Sequence, residues 1–416
     1  MALCRFGSWA YQIPLPMHAS KVATPIYLYI FDFLILNLKK QKYIKMIDNQ
    51  SNSSNRVFGL DLMRATAILM VLCSHILWIY PHPNTLISQV FTLFGFWGVE
   101  IFFVLSGFLI GRILYNLYMQ EDFTIKTVLH FLKRRWFRTL PNYFLVLLLA
   151  IFLEWSIGYP LKDLGFYFLF LQNFASPMKP FFPESWSLSV EEFAYLITPF
   201  TLLSATFFKP KNKSKRFILV VILLIMVFFI NKITYNFSTS NTTLTQWNLS
   251  LKAVVIYRID AILIGIAASW ISLNFTGLWE KQKINLAFLG CTLVVFKFVG
   301  VGYFHILIDS HPFFWNVLYL PFTSIIFALF LPLLSNWKFE TNPLTKPITF
   351  VSLISYSIYL MHYSIILQMM KYFVDTTFFT TIQLHLFAFS YLIVTFFVSF
   401  LLYKYFEKPI MNLRGN

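Results

Sequence analysis

Charged residues are scarce in this chain of 416 residues, and long apolar runs take their place. Only 12% of the residues are Asp, Glu, Lys or Arg, whereas 58% are hydrophobic and the mean hydropathy is +0.67. Such a composition excludes a disordered chain and lies outside the range of ordinary soluble domains. Apolar runs of about 20 residues, the length that crosses a hydrocarbon core, recur along the sequence. The composition therefore predicts an all-α, multi-pass membrane protein.

Cysteine is equally sparse, because the chain contains only Cys4, Cys73 and Cys291. Three widely separated cysteines exclude a disulfide framework and offer none of the spacings that bind a metal. We therefore expect neither redox chemistry nor a metal site.

Acidic residues are about half as common as basic ones, with 17 against 33, and the formal net charge is +16. A basic excess is compatible with nucleic-acid binding, but membrane proteins also concentrate Lys and Arg in their cytoplasmic loops. Six basic residues lie at 112–138 and five lie in "KPKNKSKR", both on one side of the predicted membrane topology. This asymmetry explains the net charge, so no nucleic-acid partner is predicted.

The apolar runs and their breakers predict about ten transmembrane helices around a central polar cavity, with both termini cytoplasmic. A further apolar stretch at 164–175 is too short for a span, and letting it cross would put the later basic loops outside. Residues 1–55 differ in composition and are interpreted as an N-terminal extension, with Met46 as a candidate start, before a membrane domain at 56–412. The predicted helices are 57–80, 90–112, 137–157, 186–208, 217–235, 251–273, 285–303, 313–334, 348–370 and 381–403.

The run "LDLMRATAILMVLCSHIL" at 60–77 is apolar but carries Asp61, Arg64 and His75. Ionisable residues inside a membrane are costly unless they face a partner or a wet cavity. Arg64 and His75 are eleven residues apart, so a helix places them within about 20° of one face and about 16 Å apart. One alternative is purely structural: Asp61 neutralises Arg64, and His75 only hydrogen-bonds a neighbouring helix.

Other predicted helices also carry charge inward, and this convergence favours a polar path over isolated structural residues. Such a path is expected of an enzyme with a buried site, and equally of a secondary transporter or exporter of a glycan or anion. The inward charges are Glu100, Glu191, Glu192, Arg258, Asp260 and His362.

Two further patterns leave alternatives open. Arg135 and Arg138 in "FLKRRWFRTLPNYF" lie three residues apart on one helix face, where they suit either phosphate binding or a positive-inside anchor. The stretch "GFWGVEIFFVLSGFLIGR" contains small residues that permit either close helix contact or the approach of a ligand to the backbone.

Seven segments, in order along residues 57–410, resemble the acyltransferase-3 family of membrane O-acyltransferases that modify surface glycans. They are "GLDLMRATAILMVLCSH", "GVEIFFVLSGFLIG", "RRWFRTLP", "SWSLSVEEFAYLITP", "RIDAILIG", "SYSIYLMHYSI" and "YKYFEKP". The chain departs from the family pattern at Leu62-Met63, at Phe193-Ala194 and at Met361, and these departures concern the acceptor more than the chemistry.

The resemblance implies an O-acetyltransferase of the bacterial inner membrane, with acetyl-CoA as the donor and a glycan as the acceptor. We expect lipopolysaccharide O-antigen or another surface polysaccharide, while the oligomeric state stays open. His75 would be the general base, with Glu191 or Glu192 fixing its tautomer and Arg64 aiding catalysis. The expected donor-binding residues are Arg64, Arg135, Arg138, Ser106 and Gly107, and the expected acceptor-binding residues are Asp61, Glu100, Trp186, Arg258, Asp260, Tyr359 and His362.

Overall fold

The structure is a computed structural model that describes residues 56–81, 85–208, 212–239, 243–338 and 343–413. The predicted extension at 1–55, with the candidate start Met46, lies outside the described residues. The chain divides into two units, Met1–Arg56 and Val57–Asn416, and the second contains every helix of the described residues.

Ten main helices make up most of the described chain, and no strand occurs within it. A π-helical turn lies inside each of the last three, at Phe314–Leu318, His362–Gln368 and Tyr403–Glu407. In chain order the helices are α1 (Phe58–Ile76), α2 (Leu86–Met119), α3 (Ile125–Ser156), α4 (Trp186–Ser204), α5 (Lys213–Ser238), α6 (Ile259–Asn274), α7 (Lys283–Tyr303), α8 (Phe314–Asn336), α9 (Thr345–Phe373) and α10 (Thr381–Asn412).

Eight helices of the described chain are long and apolar enough to cross a membrane. They are α1 with its extension to Ile79, α2, α3, α5, α7, α8, α9 and α10. Helix α6 is apolar but has only 16 residues, and the 19-residue helix α4 lies outside this set. The all-α prediction is confirmed for the described residues, whereas ten spans and cytoplasmic termini stay predictions.

Two predicted helices begin eight or more residues away from their observed starts. Helix α3 begins at Ile125 rather than at 137, because the basic segment before Pro141 is itself helical. Pro141 lies inside this helix, as neighbouring helices permit in membrane proteins. Helix α6 begins at Ile259 rather than at 251, because residues 248–257 form short π and 3-10 turns.

The segment 164–175 forms only the five-residue helix Leu164–Phe168, followed by irregular chain, so it is too short to span. Buried hydrogen bonds attach it to the bundle: Gln172 Nε2 donates to Ser189 Oγ at 2.8 Å, and Asn173 Nδ2 donates to the Trp186 carbonyl at 3.0 Å. The segment therefore fixes the position at which α4 begins.

Helix α2 lies against both α1 and α6, and glycines allow this close approach. A Cβ atom on Gly107 would collide with the Ile262 carbonyl of α6, and one on Gly98 would collide with the Ala67 carbonyl of α1. Close helix contact is thus the role that the structure gives these glycines. The backbone of α6 fills the space beside Gly107, and its expected role in binding the donor stays a prediction.

Candidate active site

Two histidines from distant parts of the chain meet at one end of α1. The Nδ1 atom of His75 lies 3.3 Å from Nε2 of His362, the first residue of the π-helical turn in α9. Their rings meet edge to face with centroids 4.7 Å apart, and the Tyr363 ring packs on His75 at 5.0 Å. His362 is fully buried, whereas His75 is only half-buried. We call these two residues the histidine pair.

Backbone carbonyls fix the proton positions in the histidine pair. Nδ1 of His362 lies 2.8 Å from the Tyr359 carbonyl and 3.2 Å from the Ile358 carbonyl, so this nitrogen carries the proton and Nε2 has a free lone pair. Nδ1 of His75 lies 2.9 Å from the Val71 carbonyl, so it donates there and towards His362. Nε2 of neutral His75 is therefore the unprotonated nitrogen, the state that a general base requires.

A buried carboxylate that the sequence analysis missed supports the π-helical turn. Glu184 accepts hydrogen bonds from the Ser364 backbone N–H at 3.0 Å and from its hydroxyl at 2.7 Å. The Tyr359 hydroxyl contacts both Ser187, at 2.6 Å, and the Glu184 carbonyl, at 3.1 Å. Glu184 lies just before a predicted span, so a search for charges inside spans did not find it. These bonds hold the backbone that carries His362.

The other end of α1 carries the pair that its spacing predicts. Arg64 lies 3.5 Å from Asp61 and also donates to the Ser352 hydroxyl of α9 at 3.2 Å. Ser352 in turn donates to Asp61 at 2.8 Å. Asp61 is buried, and this three-residue network joins α1 to α9. Arg64 and His75 are thus both held against α9, eleven residues apart on one helix.

Glu191 and Glu192 belong to a different network from the histidine pair. Glu191 accepts from the Ser106 hydroxyl at 3.1 Å and from the Tyr195 hydroxyl at 2.8 Å. Glu192 accepts from the Thr139 hydroxyl at 2.8 Å. Within the described chain, neither glutamate hydrogen-bonds the histidine pair, and the Val71 carbonyl and the second histidine occupy the position that a carboxylate was expected to fill.

The two arginines of the basic segment lie half-buried on α3, close to this glutamate network. The Arg135 guanidinium stacks over the Tyr195 ring at 4.5 Å, and its buried Nε atom has no hydrogen-bond partner in the described residues. Arg138 interacts electrostatically with Glu407 of α10. A planar guanidinium can bind phosphate through two parallel hydrogen bonds, and binding of a CoA donor by Arg135 and Arg138 stays a prediction.

Three residues expected to bind the acceptor instead form buried ion pairs. Glu100 of α2 pairs with Arg258 and accepts from the Ser324 hydroxyl at 2.8 Å, while Asp260 pairs with Lys232 of α5. All four charged side chains are almost completely buried. Buried charges of opposite sign compensate each other's loss of hydration. Glu100, Arg258 and Asp260 therefore hold helices together, and their expected role in binding the acceptor stays a prediction.

Lys252 is a second functional candidate that the sequence analysis missed. Its ammonium lies over the Trp186 ring at 5.6 Å and over the Phe96 ring at 5.8 Å. It also interacts electrostatically with His75. Trp186, an expected acceptor-binding residue, thus lies beside a cation that influences the histidine pair.

Comparison with known proteins gives a match to one protein family and to several curated relatives. A family profile described as an acyltransferase domain, that of the acyltransferase-3 family, matches residues 57–404. The O-acetyltransferase OatA of Staphylococcus aureus, from three strains, is 22% identical over 382 residues. The match covers 85% of this chain and 57% of OatA, so the chain spans little more than half the length of these curated relatives. No solved structure matches the chain.

Proposed function

Since the chain belongs to the acyltransferase-3 family, we propose that it is a membrane O-acetyltransferase. It transfers an acetyl group from cytoplasmic acetyl-CoA to a hydroxyl of an extracytoplasmic glycan. The name of the similar OatA proteins supports acetyl transfer to oxygen. The acceptor is lipopolysaccharide O-antigen or another surface polysaccharide, and the protein resides in the bacterial inner membrane with both termini cytoplasmic.

The observation that carries this proposal is the proton arrangement of the histidine pair. His75 donates its Nδ1 proton to the Val71 carbonyl and towards His362, which leaves Nε2 free to take the proton of an attacking hydroxyl. General-base catalysis of this kind contributes about 10²–10⁴-fold to a rate. His362 holds the imidazole in the productive tautomer and shares the positive charge when His75 becomes protonated.

The donor is a substrate whose thioester supplies an activated acetyl group. Arg135 and Arg138 hold its phosphates, and the half-buried position of both side chains, three residues apart on α3, supports this assignment. Ser106 and Glu191 lie next to this arginine through Tyr195 and orient the donor at the same end of the bundle. Arg64, which lies on α1 and donates to Ser352 of α9, lines the path between the arginines and the histidine pair.

A thiol-release assay tests the proposal and separates it from the transporter alternative. The full chain in nanodiscs is given acetyl-CoA with and without surface glycan from the host, and free CoA thiol is measured. An O-acetyltransferase releases thiol in step with acetyl esters that appear in the glycan NMR spectrum. A transporter of glycan or anion consumes no thioester, and that result would reject the proposed enzyme.

A further inference from the structure

Lys252 is a half-buried cation without an acidic partner in the described part of the chain. By contrast, Lys232, Arg258 and Arg64 each pair with a carboxylate. The neighbours of Lys252 are the aromatic faces of Trp186 and Phe96. An ammonium held between aromatic rings and left without a counter-ion keeps its charge available for an anion that arrives during the reaction.

Lys252 also lies within electrostatic reach of the proposed base. It interacts electrostatically with His75. Its ammonium lies over the Trp186 ring, and the next residue, Ser187, contacts the Tyr359 hydroxyl. The Tyr359 ring in turn lies beside the His362 ring. Arg64, the other cation considered for catalysis, lies eleven residues from His75 along α1, or about 16 Å away. It is moreover committed to Asp61 and Ser352. Lys252 is therefore a cation without a carboxylate partner in the described residues, placed where it can compensate negative charge that forms beside His75.

We propose that Lys252 is a catalytic residue that stabilises the oxyanion of the acetyl-transfer reaction. The acceptor hydroxyl oxygen bonds to the thioester carbonyl carbon, and its proton passes to His75 Nε2. The carbonyl electron pair moves onto oxygen, where the Lys252 ammonium neutralises it. When the pair returns, the carbon–sulfur bond breaks, the sulfur takes the proton from His75, and CoA leaves as the thiol.

This inference rests on the proposed function, and kinetics separate the two. In nanodiscs, Lys252→Met lowers kcat for acetyl transfer about 10²-fold, because one oxyanion donor contributes 10²–10³-fold. The acceptor KM stays unchanged, and Lys252→Arg, which keeps the charge, recovers part of the rate. A raised acceptor KM with normal kcat would instead mean that Lys252 anchors an acidic group of the glycan, and the oxyanion role would be overturned.

Lys297 offers a matched control, because its ammonium lies on the same Phe96 ring at 5.3 Å but contacts Thr323 and Tyr319. Lys297→Met leaves kcat within about twofold of the wild-type value, since this cation lies apart from the reacting atoms. If both lysine variants lost activity equally, Lys252 would have only a structural role. If His75→Ala abolished thiol release while Lys252→Met did not, the enzyme would stand and the role of Lys252 would fall.

A binding measurement provides a readout that needs no turnover. S-carboxymethyl-CoA places a carboxylate where the oxyanion forms, whereas S-propyl-CoA is a neutral thioether of similar size. The wild-type protein binds the carboxymethyl compound about tenfold more tightly, as a charge-assisted hydrogen bond predicts. Lys252→Met abolishes this preference and leaves the Kd of S-propyl-CoA unchanged. A preference that survived the substitution would contradict the proposal.

Discussion

Nε2 of His362 lies 3.3 Å from Nδ1 of His75, although 287 residues separate the two histidines in the sequence. Because the first is buried and its own Nδ1 is bound by two carbonyls, its free lone pair faces the second imidazole. The proposed base therefore depends on a partner from another helix. Four predictions about the described residues follow from the site and its surroundings, and a fifth concerns the reaction as a whole.

Removing His362 should impair catalysis without unfolding the protein. His362→Ala removes the acceptor of the His75 Nδ1 proton and lowers kcat about tenfold or more, since part of the general-base contribution is lost. His362→Gln restores part of the rate, because its side-chain oxygen accepts the same hydrogen bond. Thiol release over a range of pH values measures both variants.

Tyr363→Phe is the control for this prediction, since the Tyr363 ring also packs on His75 at 5.0 Å. It should keep kcat within a few fold of wild type, because it retains the ring. If His362→Ala and Tyr363→Phe had the same small effect, His362 would contribute only packing.

Arg135→Ala combined with Arg138→Ala should weaken binding of CoA about tenfold or more, because two charge-assisted contacts with phosphate are lost. The effect should shrink at high salt, where exposed charges are screened. Titration of CoA into protein in nanodiscs measures the Kd directly. Arg134→Ala, an exposed neighbour in the same basic segment, is the control and should leave the Kd unchanged. If the double variant bound CoA with the wild-type Kd, these arginines would serve only as a positive-inside anchor of the membrane topology.

Arg258→Met should destabilise the protein, because it leaves Glu100 buried without its cation. Loss of one partner from a buried ion pair costs about 3–5 kcal/mol. The double variant Glu100→Gln with Arg258→Met should recover most of the thermal stability, since the amide can still accept from Ser324. It should also retain acetyl transfer. If the double variant were stable but no longer bound the acceptor, Glu100 and Arg258 would belong to the acceptor-binding site.

Gly107→Ala tests the packing role of this residue. The added methyl group meets the Ile262 carbonyl, so we expect a loss of about 1–3 kcal/mol or more in stability. Gly277→Ala, also in a helix but with open space around its Cα atom, should be neutral or stabilising. Thermal unfolding in nanodiscs compares the two. A stable Gly107→Ala protein with weakened CoA binding would support the donor-binding role instead.

The sequence located most helices because apolar length is a local property. It also predicted the Asp61–Arg64 pair, since both residues lie on one turn of α1. Boundaries failed where polar residues are helical, as before Pro141, because a hydropathy pattern does not distinguish a helical basic segment from a loop.

Contacts between helices could not be predicted from the sequence, for a different reason. Each of Glu100, Arg258 and Asp260 was a single buried charge in the sequence, and only the packing of separate helices shows that they form ion pairs. The bond between His75 and His362 likewise depends on how α1 meets α9. Lys252 was missed because it lies at the first turn of the predicted helix 251–273, where a lysine is typical of a membrane boundary, and only the packing of Trp186 and Phe96 around it shows its surroundings.

Transfer of acetyl across a sealed membrane tests the central claim most directly. Proteoliposomes are loaded with radiolabelled acetyl-CoA, host surface glycan is added outside, and labelled acetyl ester on the glycan is counted. The wild-type protein should label the glycan in step with release of CoA thiol inside, and His75→Ala should not label it although the variant folds and binds CoA. Undiminished labelling by His75→Ala would contradict the assignment of this imidazole as the base.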